Sequence, residues 1–337
     1  MIKNVLGAIA LMLLALSAFA QIPEGYYNGT ENLSGDALKS VLHEIINDHQ
    51  EYSYNDLRDF ILSDTDEDPD NSNNIILLYT GRSQAKSTFG GGANDWNREH
   101  VWAKSHGDFG TTPPCGTDAH HLRPTDASVN SSRGNLDFDN GGVYHSEATG
   151  CRYDSDSWEP RDEVKGDVAR MIFYMAVRYE GDNGEPDLEV VDEVNTYPAP
   201  EHGKLSALLE WNELDPPDDF ENHRNDVIYS YQNNRNPFID HPEFVAKIFG
   251  PSAGTETYTQ NTLKCWYAAG NVSYVMETKG SSDYEIQLMD ISGRLVETWS
   301  ATTESGVFHT GELNSGLYII TVSNNGAYYT GSKMMVF

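Results

Sequence analysis

The chain of 337 residues carries 52 Asp and Glu against 22 Lys and Arg, a formal charge of −30. That balance excludes a basic protein that coats nucleic acid through its bulk field, although a local site can oppose the global charge. With 38% hydrophobic and 11% aromatic residues the composition also excludes wholesale disorder, and the length suits roughly two domains.

Residues 1–20 place Lys3 before an apolar run from Val5 to Ala20 that closes on Ala18-Phe19-Ala20, the pattern of a secretory signal peptide. The run is short for a spanning helix, no stop-transfer segment comes after it, and no other stretch approaches membrane length, so the mature chain is expected to be exported without a membrane span. Leu38, Val41, Leu42, Ile45 and Ile46 then recur at helical spacing behind Ser34 or Asp36 as N-caps, which predicts an amphipathic helix. Asp64-Thr65-Asp66-Glu67-Asp68-Pro69-Asp70 opens like a calcium loop. Pro69 stands where that loop needs Gly and Ile75 where it needs Glu, so the segment reads as a solvated acidic loop. Gly90-Gly91-Gly92 lacks the Gly-Lys-Ser/Thr of a phosphate loop and reads as a flexible lead into the segment that begins at Trp96.

Downstream, Val168, Met171, Ile172, Met175 and Tyr179 share one face of a helix predicted over Asp167 to Tyr179. Shorter helices are predicted at Ala207 to Trp211 and Asp226 to Tyr231, interrupted by Pro216-Pro217 and stopped by Pro237. His202, His223, Arg224 and His241 lie in this stretch, with no pattern that decides between a site and a helix surface. After residues 21–249 comes a linker-like run at 250–258. Residues 259–337 alternate apolar and polar positions between turn signals, as in Tyr284 to Met289, Leu295 to Trp299, Leu317 to Val322 and Tyr328 to Phe337. The expected fold class is α+β, a helix-rich first domain followed by a small all-β antiparallel sandwich. Residues 255–337 carry a net charge of −4, so most of the acidity belongs to the first domain.

The chemistry concentrates between Trp96 and Asn135, where four of the eleven histidines lie and the formal charge is zero. Glu99 offers a hard anionic oxygen and Asn130 a neutral amide oxygen, a donor set that suits Mg²⁺ better than Zn²⁺. His100 can stand off the metal as a neutral imidazole and take a proton from water. Arg133, one helical turn after Asn130, could clamp a phosphate bidentately. Water, base, metal and arginine make a phosphodiesterase layout. Export also permits disulfides. Cys115 and Cys151 flank the most polar-rich part of the chain and form a candidate pair that could staple the loop between them, Cys265 is left over, and no Cys-x-x-Cys or His-Glu-x-x-His supports zinc.

Trp96-Asn97-Arg98-Glu99-His100-Val101-Trp102, Asp118-Ala119-His120-His121-Leu122-Arg123-Pro124 and Val129-Asn130-Ser131-Ser132-Arg133-Gly134-Asn135, in this order, resemble the bacterial endonuclease I family of ββα-metal (His-Me finger) nucleases. Lys165 to Met171 and Asn236 to Pro242 extend the resemblance over roughly residues 25–250. It implies His100 as general base, Glu99 and Asn130 as ligands of Mg²⁺ that Mn²⁺ or Ca²⁺ could replace, and Arg133 near the scissile phosphate. It implies supporting or substrate-contacting roles for Arg98, Asp118, His120, Arg123 and Asn135, and for His121, which stands where Asn is more familiar. Asp290 to Val296 and Leu313 to Ile320 resemble the C-terminal sorting domain of type IX secretion, which implies an export address read at the outer membrane. The expected protein is a monomeric, secreted, sequence-tolerant nuclease acting on DNA and RNA. An RNA-only enzyme of the same fold, or an adhesive or glycan-binding protein on an inactive nuclease scaffold, is the rival.

Overall fold

Helix α1 (Gly35–Ile46) starts after Ser34 at its N-cap and buries Leu38, Leu42, His43 and Ile46. The structure is a computed structural model that describes residues 22–250, 263–276, 284–290, 294–324 and 327–336. The signal-peptide segment and nearly all of the linker lie outside the described residues. The chain divides between Ser252 and Ala253 into two units.

In the first unit, α2 (Tyr54–Asp56) starts with a reciprocal capping box between Ser53 and Asp56 and runs through one π-helical turn into α3 (Leu62–Thr65). The acidic stretch after α3 is not a solvated loop. It contains β1 (Glu67–Asp68), which pairs with β2 (Asn71–Ile76) and through it with β3 (Ser83–Ala85). Asp66 is fully buried between Arg123 and Arg224. A carboxylate at the centre of two guanidiniums looks, in sequence, the same as its solvated neighbours.

Strands β4 (Trp96–His100) and β5 (Leu122–Asp126) form an antiparallel pair with Glu99 opposite Arg123, and α4 (Ala127–Arg133) comes directly after β5. Gly134 ends α4 at φ +58°, a conformation that glycine adopts at little cost. Four short strands, β6 (Asp137–Phe138), β7 (Val143–Tyr144), β8 (Arg152–Tyr153) and β9 (Ser157–Glu159), make a mixed sheet in the order β6-β9-β8-β7. Helix α5 (Lys165–Arg178) runs through the middle of the unit and is buried at every position, not only on its apolar face. Its polar side is lined by ion pairs: Arg123 with Asp167, Arg170 with Glu221, and Arg178 with Glu185.

A parallel pair, β10 (Glu189–Val190) and β11 (Glu201–His202), precedes α6 (Leu205–Leu214). Helix α7 (Asp219–Gln232) begins earlier than hydrophobic periodicity predicts because Asp218 accepts from the Glu221 amide and caps it. Then α8 (Pro237–Asp240) and α9 (Glu243–Ile248) close the unit. One apolar cluster gathers α1, α5, α6, Trp102, Trp158, Phe238 and Phe244, and a second lies beneath β2 and β4 around Trp96, Leu122 and Ile228.

Every described element of the second unit is a strand. The order β12-β13-β16 joins Leu263–Ala268, Asn271–Met276 and Ser305–His309. The order β15-β14-β17-β18 joins Leu295–Ala301, Tyr284–Asp290, Gly316–Asn324 and Ala327–Val336. All of these pairings are antiparallel, and alternate residues such as Val272, Tyr274, Ile286, Leu288, Ile320 and Val322 share one core. No helix among the described residues is long and apolar enough to cross a membrane.

The candidate disulfide is absent. Cys115, Cys151 and Cys265 are all free thiols. Cys151 donates to the Tyr79 carbonyl at 3.3 Å, and both Cys115 and Cys151 are buried in the main core, where sulfur behaves as a small apolar group. Burial pushes the Cys151 thiol up to about 11 and the Cys115 thiol well above its ordinary value, so neither is a reactive thiolate.

Candidate active site

Strand β4 pairs with β5 along one edge, and its other edge is bridged at Trp96 by Phe89 and open beyond it. Pro124, which has no amide hydrogen, stands opposite Arg98, so the carbonyls of Arg98 and His100 point to the free edge. Two side chains of α4, one helical turn apart, satisfy that edge. Asn130 Nδ2 donates to the Arg98 carbonyl at 3.1 Å. Arg133 donates through Nη1 to the His100 carbonyl at 3.1 Å and through Nη2 to the Val101 carbonyl at 2.7 Å. Helix and strand are thus fastened along their length, and a cleft of about 450 Å³ opens beside them. Asn97, Arg98, Glu99, His100, Lys104, Ser105, Asn130, Ser131, Gly134 and Asn135 line it, with Tyr54 at one side.

Glu99 is 1% exposed. The Tyr79 hydroxyl donates to its Oε1 at 2.7 Å and Arg133 Nη1 lies 3.4 Å from the same oxygen. Among the described residues Oε2 takes no hydrogen bond, which leaves it for the cleft. Burial raises the carboxyl above its ordinary value, opposed by Arg133 and Tyr79. Asn130 shows the same division. Its nitrogen is spent on the Arg98 carbonyl and on Asn97 Oδ1 at 2.7 Å, so its oxygen is free. Two hard oxygens of one wall, one anionic and one neutral, therefore take no hydrogen bond among the described residues, and that donor set fits a hard divalent cation.

His100 Nε2 lies 3.2 Å from the Gly116 carbonyl. A carbonyl only accepts, so Nε2 carries the proton and Nδ1 holds the lone pair. Gly116 is required for that approach, because a Cβ there would lie 2.8 Å from the Gly110 carbonyl oxygen. Burial, reinforced by His121, Lys104 and Arg98 and opposed by the Gly116 contact, holds His100 well below the ordinary histidine range. The ring is a neutral acceptor at neutral pH. Tyr54 stacks on it at 5.6 Å between centroids, and the Arg98 guanidinium lies 3.4 Å over Tyr54 while donating to the Tyr54 carbonyl. Arg98 Nε is a buried donor that makes no hydrogen bond among the described residues.

Of the residues singled out by motif, Arg98, Glu99, His100, Asn130 and Asn135 come together in this cleft. Arg133 does not. Its side chain is fully buried behind β4, where His202 Nε2 lies 3.2 Å away and Phe138 stacks at 4.7 Å, so it cannot reach a phosphate in the cleft. Asp118, His120, His121 and Arg123 also stand behind the site. Asp118 accepts from Tyr174, Tyr179 and Gln232; burial raises its carboxyl, but the neighbouring His49 and His120 and the Gln232 contact outweigh burial and hold it low. His121 faces the Cys115 carbonyl and backs the His100 ring at 5.5 Å, whereas His120 reaches the Asn234 carbonyl. Arg123 is held by Asp66 and Asp167. Arg224 donates to the Ala119 and Leu122 carbonyls, and His223 and His241 do not line the cleft.

Sequence reasoning passed over Tyr54, Tyr79, Asn97, Lys104 and Ser105, which carry no motif signal by themselves. It also passed over the partnership of His106, Asp137 and His202. These three are buried, and their ligand-type atoms lie within 4.8 Å of one another, a spacing that could hold a metal ion. Hydrogen bonds already use those atoms. His106 faces the Glu201 and Asn135 carbonyls, Asp137 accepts from Thr196 and Gly203, and Arg133 sits against His202. With its ligand atoms already committed, this cluster is a worse seat for a cation than the wall where Glu99 Oε2 and Asn130 Oδ1 take no hydrogen bond among the described residues.

The sequence profile of the endonuclease I family matches residues 34–243. The chain belongs to the endonuclease I family. Over 225 residues it is 62% identical to a protein named extracellular ribonuclease from Bacillus subtilis (strain 168), covering 66% of this chain and 78% of that one. A second protein of that name, from Bacillus amyloliquefaciens, is 61% identical over 227 residues, 67% of this chain and 78% of its own length. A secretion system C-terminal sorting domain matches residues 270–336. This endonuclease I family member is therefore a nuclease, and its sorting domain makes it a secreted or cell-surface protein.

Proposed function

We propose that the protein is a divalent-metal-dependent endonuclease of ββα-metal architecture, built on β4, β5 and α4, that hydrolyses RNA as its main substrate and accepts DNA. The observation that carries the reading is the convergence, in one cleft, of a lone-pair nitrogen on His100 with the uncommitted oxygens of Glu99 and Asn130. RNA is placed first because the two relatives are named ribonucleases. The site offers no recognition helix for base edges, so cleavage is sequence-tolerant.

Glu99 Oε2 and Asn130 Oδ1 would hold the ion, Mg²⁺ by their chemistry, with Mn²⁺ or Ca²⁺ as substitutes. When bound, it would supply positive charge to the scissile phosphate and its leaving oxygen. His100 Nδ1 takes a proton from the attacking water, and the Gly116 carbonyl fixes the ring tautomer for that transfer. Arg98 and Lys104, the cations of the cleft wall, offset charge that builds on phosphorus. Arg133 acts through others: it holds the His100 carbonyl and lies beside Glu99, which sets the base and the carboxylate in register. Water forms the new P–O bond and the bond to the 3′ oxygen breaks, so the products carry 5′-phosphates and 3′-hydroxyls and no 2′,3′-cyclic phosphate.

The proposal extends to a signal peptide at residues 1–20, a nuclease domain over 21–249, a linker at 250–258 and a type IX sorting domain over 259–337, in a monomer. End-group analysis of RNA cut by the full chain in Mg²⁺ tests the chemistry. Fragments with 5′-phosphate ends whose formation stops in EDTA are expected, and cyclic phosphate ends made in EDTA would overturn the reading.

A further inference from the structure

Asn97 lies in the Trp96–Trp102 segment, where the motif gives it no role, and it stands on the same side of β4 as Glu99, two residues away. Its Oδ1 lies 2.7 Å from Asn130 Nδ2. The orientation of an amide is ordinarily ambiguous, because oxygen and nitrogen are alike in size. Here a third group settles it. The Arg98 carbonyl, 3.1 Å from the same Asn130 atom, can only accept, so that atom is the NH₂ group. The atom of Asn97 that faces it must then be an oxygen. Both hydrogens of Asn130 are consumed and its Oδ1 is turned into the cleft.

We infer that Asn97 is a positioning residue for metal binding: its side-chain oxygen locks the Asn130 amide with the carbonyl oxygen, not the NH₂, presented to the cation. An amide that flips would offer two hydrogens to a cation and repel it. The main-chain contact from Arg98 restrains only one hydrogen of Asn130, and Asn97 restrains the other. Residues that orient a ligand through a hydrogen bond typically govern metal affinity about as strongly as weak ligands do, with losses of about 10-fold to 100-fold on mutation. The inference rests on the proposed role of Glu99 and Asn130 as metal ligands.

Calorimetric titration of the full chain with Mg²⁺, without substrate, tests it. Asn97→Ala is expected to raise the Mg²⁺ Kd by about 10-fold or more. Asn97→Leu, which fills the same space without an acceptor, is expected to match it. Asn97→Asp, which keeps an oxygen opposite Asn130, is expected to bind at least as tightly as the unaltered chain. Because Asn97 acts through Asn130, the Asn97→Ala/Asn130→Ala double variant is expected to match Asn130→Ala within about twofold. A purely structural role would not produce that non-additivity. Unchanged affinity in Asn97→Ala, or a loss that adds in full to that of Asn130→Ala, would overturn the inference. Equal affinity in the unaltered chain and in Glu99→Gln would instead overturn the metal reading beneath it.

Discussion

His100 has one ring nitrogen committed to the Gly116 carbonyl and the other left with its lone pair, so position and protonation state are set by the same contact. His100→Ala is expected to lower kcat by about 10²-fold to 10⁴-fold, the usual worth of a general base, with Mg²⁺ affinity kept. Single-turnover cleavage beside calorimetry measures both, and a parallel loss of metal binding would contradict the assignment. Arg133 is the opposite case, a cation whose work is done behind the wall. Removing it leaves the fully buried Glu99 without its counter-charge and two carbonyls of the β4 end without a donor. Arg133→Ala is therefore expected to cost about 3–5 kcal/mol of folding stability in urea titrations. A phosphate clamp would behave differently, with stability unchanged and KM raised.

The elements around the cleft are held by buried polar groups more than by capping or propensity, and that gives the unit a pH signature. Burial lowers His120, His121 and His202 to about 4 each, so between pH 4 and the ordinary histidine value near 6.5 the unfolded chain binds protons that the folded chain refuses. Their stabilising contribution is complete above about pH 6.5 and is lost as pH falls towards 4. Glu221 on α7 has the opposite sign. Burial and the nearby Asp167 raise it to about 7, so the folded state retains a proton from about pH 4.5 upward and one of the three histidine contributions is offset. The lowered rings, with His100 and His49 among them, outnumber the raised carboxyls, so unfolding free energy should rise with pH between about 4.5 and 6.5. Urea titrations at pH 4.8 and pH 6.5 check it, and a flat or falling trend would contradict the buried neutral rings.

Apolar periodicity made α1 and the core of α5 legible in the sequence, because both bury a stripe at helical spacing. The remaining polar positions of α5 were not legible. Lys165, Asp167, Arg170 and Arg178 look like a solvated face until Arg123 and Glu221 arrive from distant segments and Glu159 and Glu185 fold back from the flanking chain to pair them. The same reason hid Asp66, and it misdirected Arg133, whose spacing from Asn130 is right but whose target is main chain. Glu99, His100 and Asn130 could be read because strand and helix bring them together locally. Tyr54 and Tyr79 could not, since they enter from elements tens of residues upstream.

At the scale of the whole molecule, a chain of formal charge −30 must let a polyanion approach. The second unit carries little of that charge, so the repulsion comes mainly from the unit that holds the cleft. Moderate salt is expected to raise the cleavage rate by screening this field, before higher salt weakens phosphate contacts and lowers it again. Initial rates against ionic strength at fixed Mg²⁺ test this, and a curve that only falls would contradict it. The sorting domain shares no residue with the catalytic wall, which places export and chemistry in separate parts of the chain. On the proposed reading, one cleft uses a cation held by Glu99 and Asn130 together with His100 to hydrolyse phosphodiesters. The most direct test is gel-resolved digestion of single-stranded RNA, linear duplex DNA and supercoiled plasmid by the full chain, in Mg²⁺ or EDTA, beside His100→Ala. Cleavage of RNA, and of DNA at lower rate, is expected to disappear in EDTA and in the variant. Cleavage that persists in EDTA, or at full rate in His100→Ala, would contradict that reading.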